Sequence, residues 1–433
     1  MVTKVTAIRI LGSSLIVLAL LLLPLPATEL MAAEKQTTSK RATKPSQVLG
    51  HKVFKQLEEA QAANDAKDYA TALGLLNELM AKPKRLNSFE KATIYNFYAV
   101  IYYQQDKLDK AKEAYKAVLK QPNIPEGLRN NTMFSLAQLL FITEDYQNSI
   151  RVLQKWYSLV ENVKPEAYML EAQAYYQLAD YAAAEKPILK ALAKAKSRKQ
   201  KPKENWLALL RAVYYELNNY ERAAKVLEVL VRLYPQKVYW TQLSGMYGLL
   251  GRQQDQLATM HAAYQAGYLD RESELVNMAR LYLAEQAPYG AMQVMKRGLE
   301  EGVIEDSVQN LQLYAQALSI GQEYEAQLPV LKRAAEKSGE AKHYVYLGQA
   351  HNALGNWQLA AQAYEQAIDI GGLEREGSVL LQLGMARYNA KQYTSARKAF
   401  VAALAFPNSE QQASNWIKFV DGEIKREKAL ANL

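Results

Sequence analysis

The feature that most constrains this chain is a pattern written twice between His343 and Pro407. YVYLGQAHNALGNWQLAAQAYEQAID is followed, after a short Gly/Glu break, by VLLQLGMARYNAKQYTSARKAFVAALAFP. At a constant offset of 36 residues, Leu347-Gly348 falls on Leu383-Gly384, Trp357 on Tyr393, Ala360 on Ala396, Tyr364 on Phe400 and Ala367 on Ala403. Small residues that let two helices approach, with large ones filling the remaining notches, describe a helix–turn–helix. A unit of this size does not bury its apolar stripe alone, so it must stack on copies of itself.

Counted from that pair, about ten copies follow one another from Val48 to Pro407 at spacings of 33–39 residues, with the extra residues in connections, where length costs little. The first has its good second helix at DYATALGLLNELM; the second carries Tyr98-Ala99, Ala111 and Tyr115. The third carries Leu136-Ala137 and Ser149, the fourth Ala172 and Ala184, the fifth Leu210, Tyr214 and Ala223. In these five, Asp or Asn just before an aromatic is expected to cap the second helix. Arg211 in the fifth copy and Gln256 and Gln327 in copies six to eight stand where small residues belong, so tight packing is not expected there, and looser packing or a change of curvature is expected in copies six to eight. After Pro407, an apolar stripe through Trp416, Ile417, Phe419, Val420 and Ile424 precedes a charged end, as suits a terminal capping helix.

These anchors resemble the tetratricopeptide repeat (TPR) over roughly Val48 to Pro407. The resemblance implies an all-α fold, a TPR-like helical-hairpin solenoid wound as a right-handed superhelix, closed by a C-terminal capping helix. The segments read as 1–33 signal, 34–47 polar basic arm, 48–235 N-terminal repeats, 236–340 degenerate repeats, 341–407 two clear repeats and 408–433 cap.

Lys4 and Arg9 precede an apolar run, Ile10 to Leu23, and then Pro24 and Pro26, the layout of a secretory signal. The run is short for a bilayer span. Cleavage near Ala32-Ala33 and retention as an N-terminal anchor both remain open. Either way the body is expected to be exported; a Gram-negative periplasm, or anchorage at its inner membrane, is what the resemblance of layout given below implies.

The net charge of +9 is concentrated in two places. Residues 34–55 hold six Lys/Arg against one Glu, and residues 186–203 hold eight and no acid. The rest is mildly acidic, which argues against a nucleic-acid protein with a continuous basic stripe. Lys186, Lys190 and Lys194 recur one turn apart and lead into Lys196, Arg198, Lys199, Lys201 and Lys203. A negatively charged partner and a merely solvated loop are both open readings of this patch.

No set of residues supports catalysis, so no enzyme and no cofactor is expected. The absence of Cys removes thiolate chemistry. His343 and His351 lie eight residues apart, off a common helix face. GMYGLLG at 245–251 lacks the Lys-Ser/Thr and the preceding strand of a phosphate loop. No metal site is therefore expected. What remains is a binding surface. In the TPR family the first helix of each repeat lines a groove, and its groove residue follows the buried aromatic. That implies Tyr103, Phe141, Tyr176 and Tyr215 in register, and Tyr388 late in the chain. These rings suit a peptide, or simply pack on a neighbouring helix. Copies six to nine offer Arg280, Gln312, Gln316, Gln349 and Asn352 instead.

The implied function is a protein-interaction scaffold in the cell envelope, with peptide segments or complex subunits as partners. The layout resembles periplasmic TPR proteins that accompany TonB-type energy-transduction systems, which implies support of TonB-dependent transport through a TonB-type inner-membrane complex. Two alternatives stand beside it: a scaffold for outer-membrane protein or polysaccharide export, and a cell-wall or glycan-binding protein using the aromatic groove.

Overall fold

The structure, a computed structural model, describes residues 48–431. The expected signal and the basic arm, residues 1–47, fall outside the described residues. Among the described residues there are α-helices, one 3₁₀ turn at Pro83–Arg85 and no strand. The chain divides into two compact units between Tyr234 and Pro235.

The first unit is five hairpins: α1 (His51–Asp65) with α2 (Tyr69–Met80), α3 (Ser88–Gln104) with α4 (Leu108–Leu119), α5 (Glu126–Ile142) with α6 (Tyr146–Tyr157), α7 (Pro165–Gln177) with α8 (Tyr181–Ser197), and α9 (Glu204–Glu216) with α10 (Tyr220–Leu233). The second unit repeats the scheme five times. Its pairs are α11 (Lys237–Leu249) with α12 (Gln253–Gln265), α13 (Glu272–Ala284) with α14 (Pro288–Glu300), α15 (Val308–Ile320) with α16 (Tyr324–Ser338), α17 (Ala341–Ala353) with α18 (Trp357–Ile370), and α19 (Glu376–Asn389) with α20 (Tyr393–Ala403). The long helix α21 (Pro407–Ala431) then packs on α20 and α19. Stacked hairpins with a terminal helix are the all-α architecture expected from the repeat.

One backbone device joins the two helices of every hairpin. The residue two before each second helix adopts a left-handed conformation: Lys67, Asp106, Glu144, Ala179, Asn218, Gly251, Gln286, Gln322, Gly355 and Lys391. The next N–H then reaches back five residues, as in Asp68 N to Ala63 O at 2.8 Å and Gln392 N to Arg387 O at 2.8 Å. This closes the orphan carbonyls of the first helix and reverses the chain. Only Gly251 and Gly355 meet the conformation without a Cβ penalty; elsewhere hairpin packing holds a strained residue in place.

Capping follows the expectation in four of the first five hairpins. Asp68, Asp145, Asp180 and Asn219 accept from the backbone N–H three residues on. Hydrogen bonds from Thr71 hold the Asp68 carboxyl below its ordinary range. The second hairpin departs from the expectation, because its cap residue is Lys107, which has no acceptor to offer.

Inside each hairpin the core is set by one close approach. Gly348 and Gly384 face the rings of Tyr364 and Phe400, and a Cβ on either glycine would lie 2.5 Å from the ring. Both rings are fully buried. Where the first helix carries Ala, the buried residue sixteen positions on is Leu76 after Ala60, Leu153 after Ala137 and Ile188 after Ala172, but Tyr115 after Ala99. The expected loosening at Gln327 is not what the structure shows. Its side chain is buried, and its Nε2 donates to Ala315 O at 3.0 Å. Ser149, at the same position of the third copy, donates to Ala137 O at 2.8 Å. A polar residue in the small slot thus ties the two helices by a side-chain hydrogen bond, a link Ala lacks. Gln256 lies over Gly248, where a Cβ would meet its Nε2 at 3.1 Å, so one missing side chain makes room for the other.

Two substitutions test this account. Gly384→Ala gains helix propensity but collides with Phe400, for an expected net loss of about 1–2 kcal/mol. Ala179→Gly relieves the left-handed turn and is expected to stabilise by about 0.5–1 kcal/mol. Urea unfolding monitored by circular dichroism measures both.

Candidate functional site

The first helices lie side by side within each unit, α1 against α3, α5 against α7 and α7 against α9. At the start of the first unit, one carboxylate fixes two of them. Glu90 Oε2 accepts from Asn87 N at 2.8 Å, and its own N–H donates to Asn87 Oδ1 at 2.9 Å, a capping box for α3. Its other oxygen accepts from Gly50 N, at the entry to α1, at 2.9 Å. Between the helices so anchored lies a cleft of about 50 Å³, lined among others by Leu49, Leu57, Asn64, Asn96, Phe97 and Val100. Asn64 is 4% exposed, and its Oδ1 accepts no hydrogen bond among the described residues. A buried carbonyl in that state costs about 1–3 kcal/mol, which a donor entering the cleft would recover. Gln173 on α7 has a second such oxygen. Asn64 lies in register with Tyr103, 39 residues on; the weak apolar pattern of α1 hid it, although counting back from Ala72 would have found it.

The aromatic register is present, but the structure places most of these rings at the turn of their own hairpins. Phe141 meets Tyr146 with centroids 5.3 Å apart, Tyr176 meets Tyr181 at 5.2 Å, Tyr215 meets Tyr220 at 5.8 Å and Tyr388 meets Tyr393 at 5.4 Å. Each partner is the first residue of the second helix. Tyr103 packs instead against the apolar cluster of the first two hairpins. All five are half-buried. Burial pushes the Tyr103 and Tyr176 phenols up; Glu216 and Tyr181 add to the effect at Tyr176, and the Arg211 guanidinium opposes it. Tyr388 also touches Trp416 and Phe419 of α21. The preceding rings face the stack: Gln154 on α6 donates to Tyr175 Oη at 3.0 Å, and Tyr214 Oη donates to Glu185 on α8 at 3.0 Å.

Half of the basic patch is engaged inside the unit. Lys203 pairs with Glu166 at 2.8 Å, and Arg198 donates to Asn162 at 2.9 Å. Lys201 donates to Leu233 O at 2.9 Å and lies 3.9 Å from the Tyr234 ring centroid; Lys190 stands 5.5 Å over Tyr168. Lys186, Lys194, Lys196 and Lys199 make no ion pair among the described residues.

In the second unit, Arg280, Gln316 and Gln349 are exposed, and Gln312 is bonded to the buried His343. Ser338 Oγ meets the other ring nitrogen at 2.7 Å, and burial holds the His343 pKa below its ordinary value. Both nitrogens are thus occupied by neutral partners. Among the described residues no group of three or more His, Cys, Asp or Glu is placed to hold a metal ion, and no helix is long and apolar enough to cross a membrane.

Tetratricopeptide-repeat family profiles match residues 92–122, 209–237 and 314–374, which fall on the second, fifth, and eighth to ninth hairpins. No curated protein sequence matches the chain. Among solved structures, the chain is similar to the TPR2AB-domain:pHSP90 complex of yeast Sti1, at 15% identity over 61% of this chain and 100% of that one, TM-score 0.35. It is also similar to MamA of Desulfovibrio magneticus, at 16% identity over 40% and 96%, TM-score 0.33. A third is the C-terminal part of a TPR repeat-containing protein from Cytophaga hutchinsonii, at 20% identity over 65% and 98%, TM-score 0.28.

The ring pairs make a measurable claim about stability. A double-mutant cycle with Tyr176→Ala and Tyr181→Ala, read by urea unfolding, is expected to give a coupling of about 0.5–1.5 kcal/mol.

Proposed function

We propose, from the premise that this is a tetratricopeptide-repeat protein-interaction scaffold, that it grips an extended peptide segment at the cleft between α1 and α3. The observation that carries the reading is Asn64. An extended chain offers one N–H per residue, and a buried amide oxygen in an apolar cleft is built to accept one. Leu57, Phe97 and Val100 supply the apolar wall that would take a small side chain beside that hydrogen bond. Half-buried Asn96 lines the same cleft with a second amide. As a class, such repeat scaffolds bind and position proteins and do not catalyse.

The Asn64 oxygen gives the test its discriminating power. Peptides selected from a displayed library on the full chain are expected to bind Asn64→Ala about tenfold more weakly. The same substitution is expected to leave stability unchanged or raised, because it deletes an unpartnered buried group. Unchanged peptide affinity in a folded Asn64→Ala variant would remove the cleft from the site.

The finer reading is a scaffold supporting TonB-dependent transport in a Gram-negative envelope. It rests on the apolar run Ile10 to Leu23, the basic arm and the repeat array in that order. Deletion of the gene is then expected to lower TonB-dependent uptake of iron carriers, and uptake equal to the parent strain would end that reading.

A further inference from the structure

The second helix of the fourth hairpin differs from its neighbours in length. α8 runs for 17 residues, against 12 in α2, α4 and α6 and 14 in α10. At about 1.5 Å per residue the excess adds roughly 5–7 Å of helix. That added turn and the connection after it hold Lys194, Lys196, Arg198 and Lys199, and no acid occurs from Lys186 to Lys203.

Structural duties account for only part of this charge. Lys190, Arg198, Lys201 and Lys203 hold rings, a carbonyl, an amide or a carboxylate of their own unit. Cations near a helix C-terminus also favour the macrodipole, which suits Lys194 and Lys196. Neither reason covers Lys186, which lies in the first half of α8, away from the helix end that favours cations. The nearby Glu185 is already taken by Arg222 at 2.8 Å. Beside Lys186 and Lys190 runs an apolar strip of Ala182, Leu189 and Ala193, in which Leu189 is 44% exposed.

We propose that this basic end of α8 docks on an anionic membrane surface, with Lys186, Lys194, Lys196 and Lys199 on the headgroups and Leu189 in the interface. The shape of the strip selects the partner. One helix supplies all of its lining, so no second wall exists to hold a peptide, whereas a broad charged surface needs none. Lysines beside an exposed apolar side chain are the composition of an interfacial helix face. This surface shares no residue with the cleft between α1 and α3, so the two readings stand or fall separately.

Sedimentation of the full chain with vesicles tests the proposal. The chain is expected to partition onto vesicles with about 30% phosphatidylglycerol in preference to pure phosphatidylcholine, and to be released by high salt. Lys186→Glu, Lys194→Glu, Lys196→Glu and Lys199→Glu combined are expected to lower the partition coefficient by about 50-fold or more, and Leu189→Ala by a few-fold. The apolar run Ile10 to Leu23 is present in every variant, so the difference isolates α8. Should the fourfold variant misfold, Lys196→Glu with Lys199→Glu, both exposed, is expected to cost about tenfold. Partition of the folded variant within about twofold of wild type would overturn the proposal, as would equal binding to neutral vesicles. Lysine-dependent retention on immobilised polyglutamate without vesicle binding would overturn it too, assigning the surface to an acidic protein.

Discussion

Most hairpins place a small residue of the first helix where it meets the second, with Arg211 in that position of the fifth. Gly348 and Gly384 admit the buried rings of Tyr364 and Phe400, where a Cβ would lie 2.5 Å from the ring. Protein interiors are packed tightly enough that neither side changes alone without a cavity or a collision. Ser149 and Gln327 solve the same contact by another route, donating to the carbonyl of the facing alanine. The same crossing is thus filled by a ring over glycine in some hairpins and tied by a side-chain hydrogen bond in others.

The architecture was legible because helical period and small-residue spacing are local signals, and many copies in phase reinforce one another. Hairpin number, the turn positions and the terminal helix all follow from counting. What counting misjudged were side chains whose role depends on a partner distant in sequence. Gln327 looks like a packing fault until the Ala315 carbonyl lies opposite it. Glu90 carries no distinguishing signal in the sequence, and only the fold brings Gly50 to its second oxygen. Lys107 shows the reverse error, a cap assumed from neighbours and absent in the residue itself.

For the candidate surfaces the sequence supplies spacing and composition. Spacing alone does not say that Tyr181 and Tyr220 sit across the turn from Tyr176 and Tyr215. Aromatic area that looks free in a sequence is partly spent inside the hairpin. The basic stretch was visible as composition, and only geometry separates the four residues held by the unit from the four that are not. Asn64 was hidden because it lies in the helix whose apolar pattern is weakest.

The row of left-handed turns has a consequence for how such a chain diverges. In the first unit those positions hold Lys67, Asp106, Glu144, Ala179 and Asn218: a cation, two anions, a methyl and an amide in one backbone conformation. The backbone hydrogen bond carries the geometry, so every non-Gly side chain there meets much the same Cβ cost whatever its charge. Each unit thus displays one such site per hairpin, where side-chain charge can vary while the turn beneath stays the same. Two descendants of one array could come to repel or attract quite different neighbours with no change of architecture.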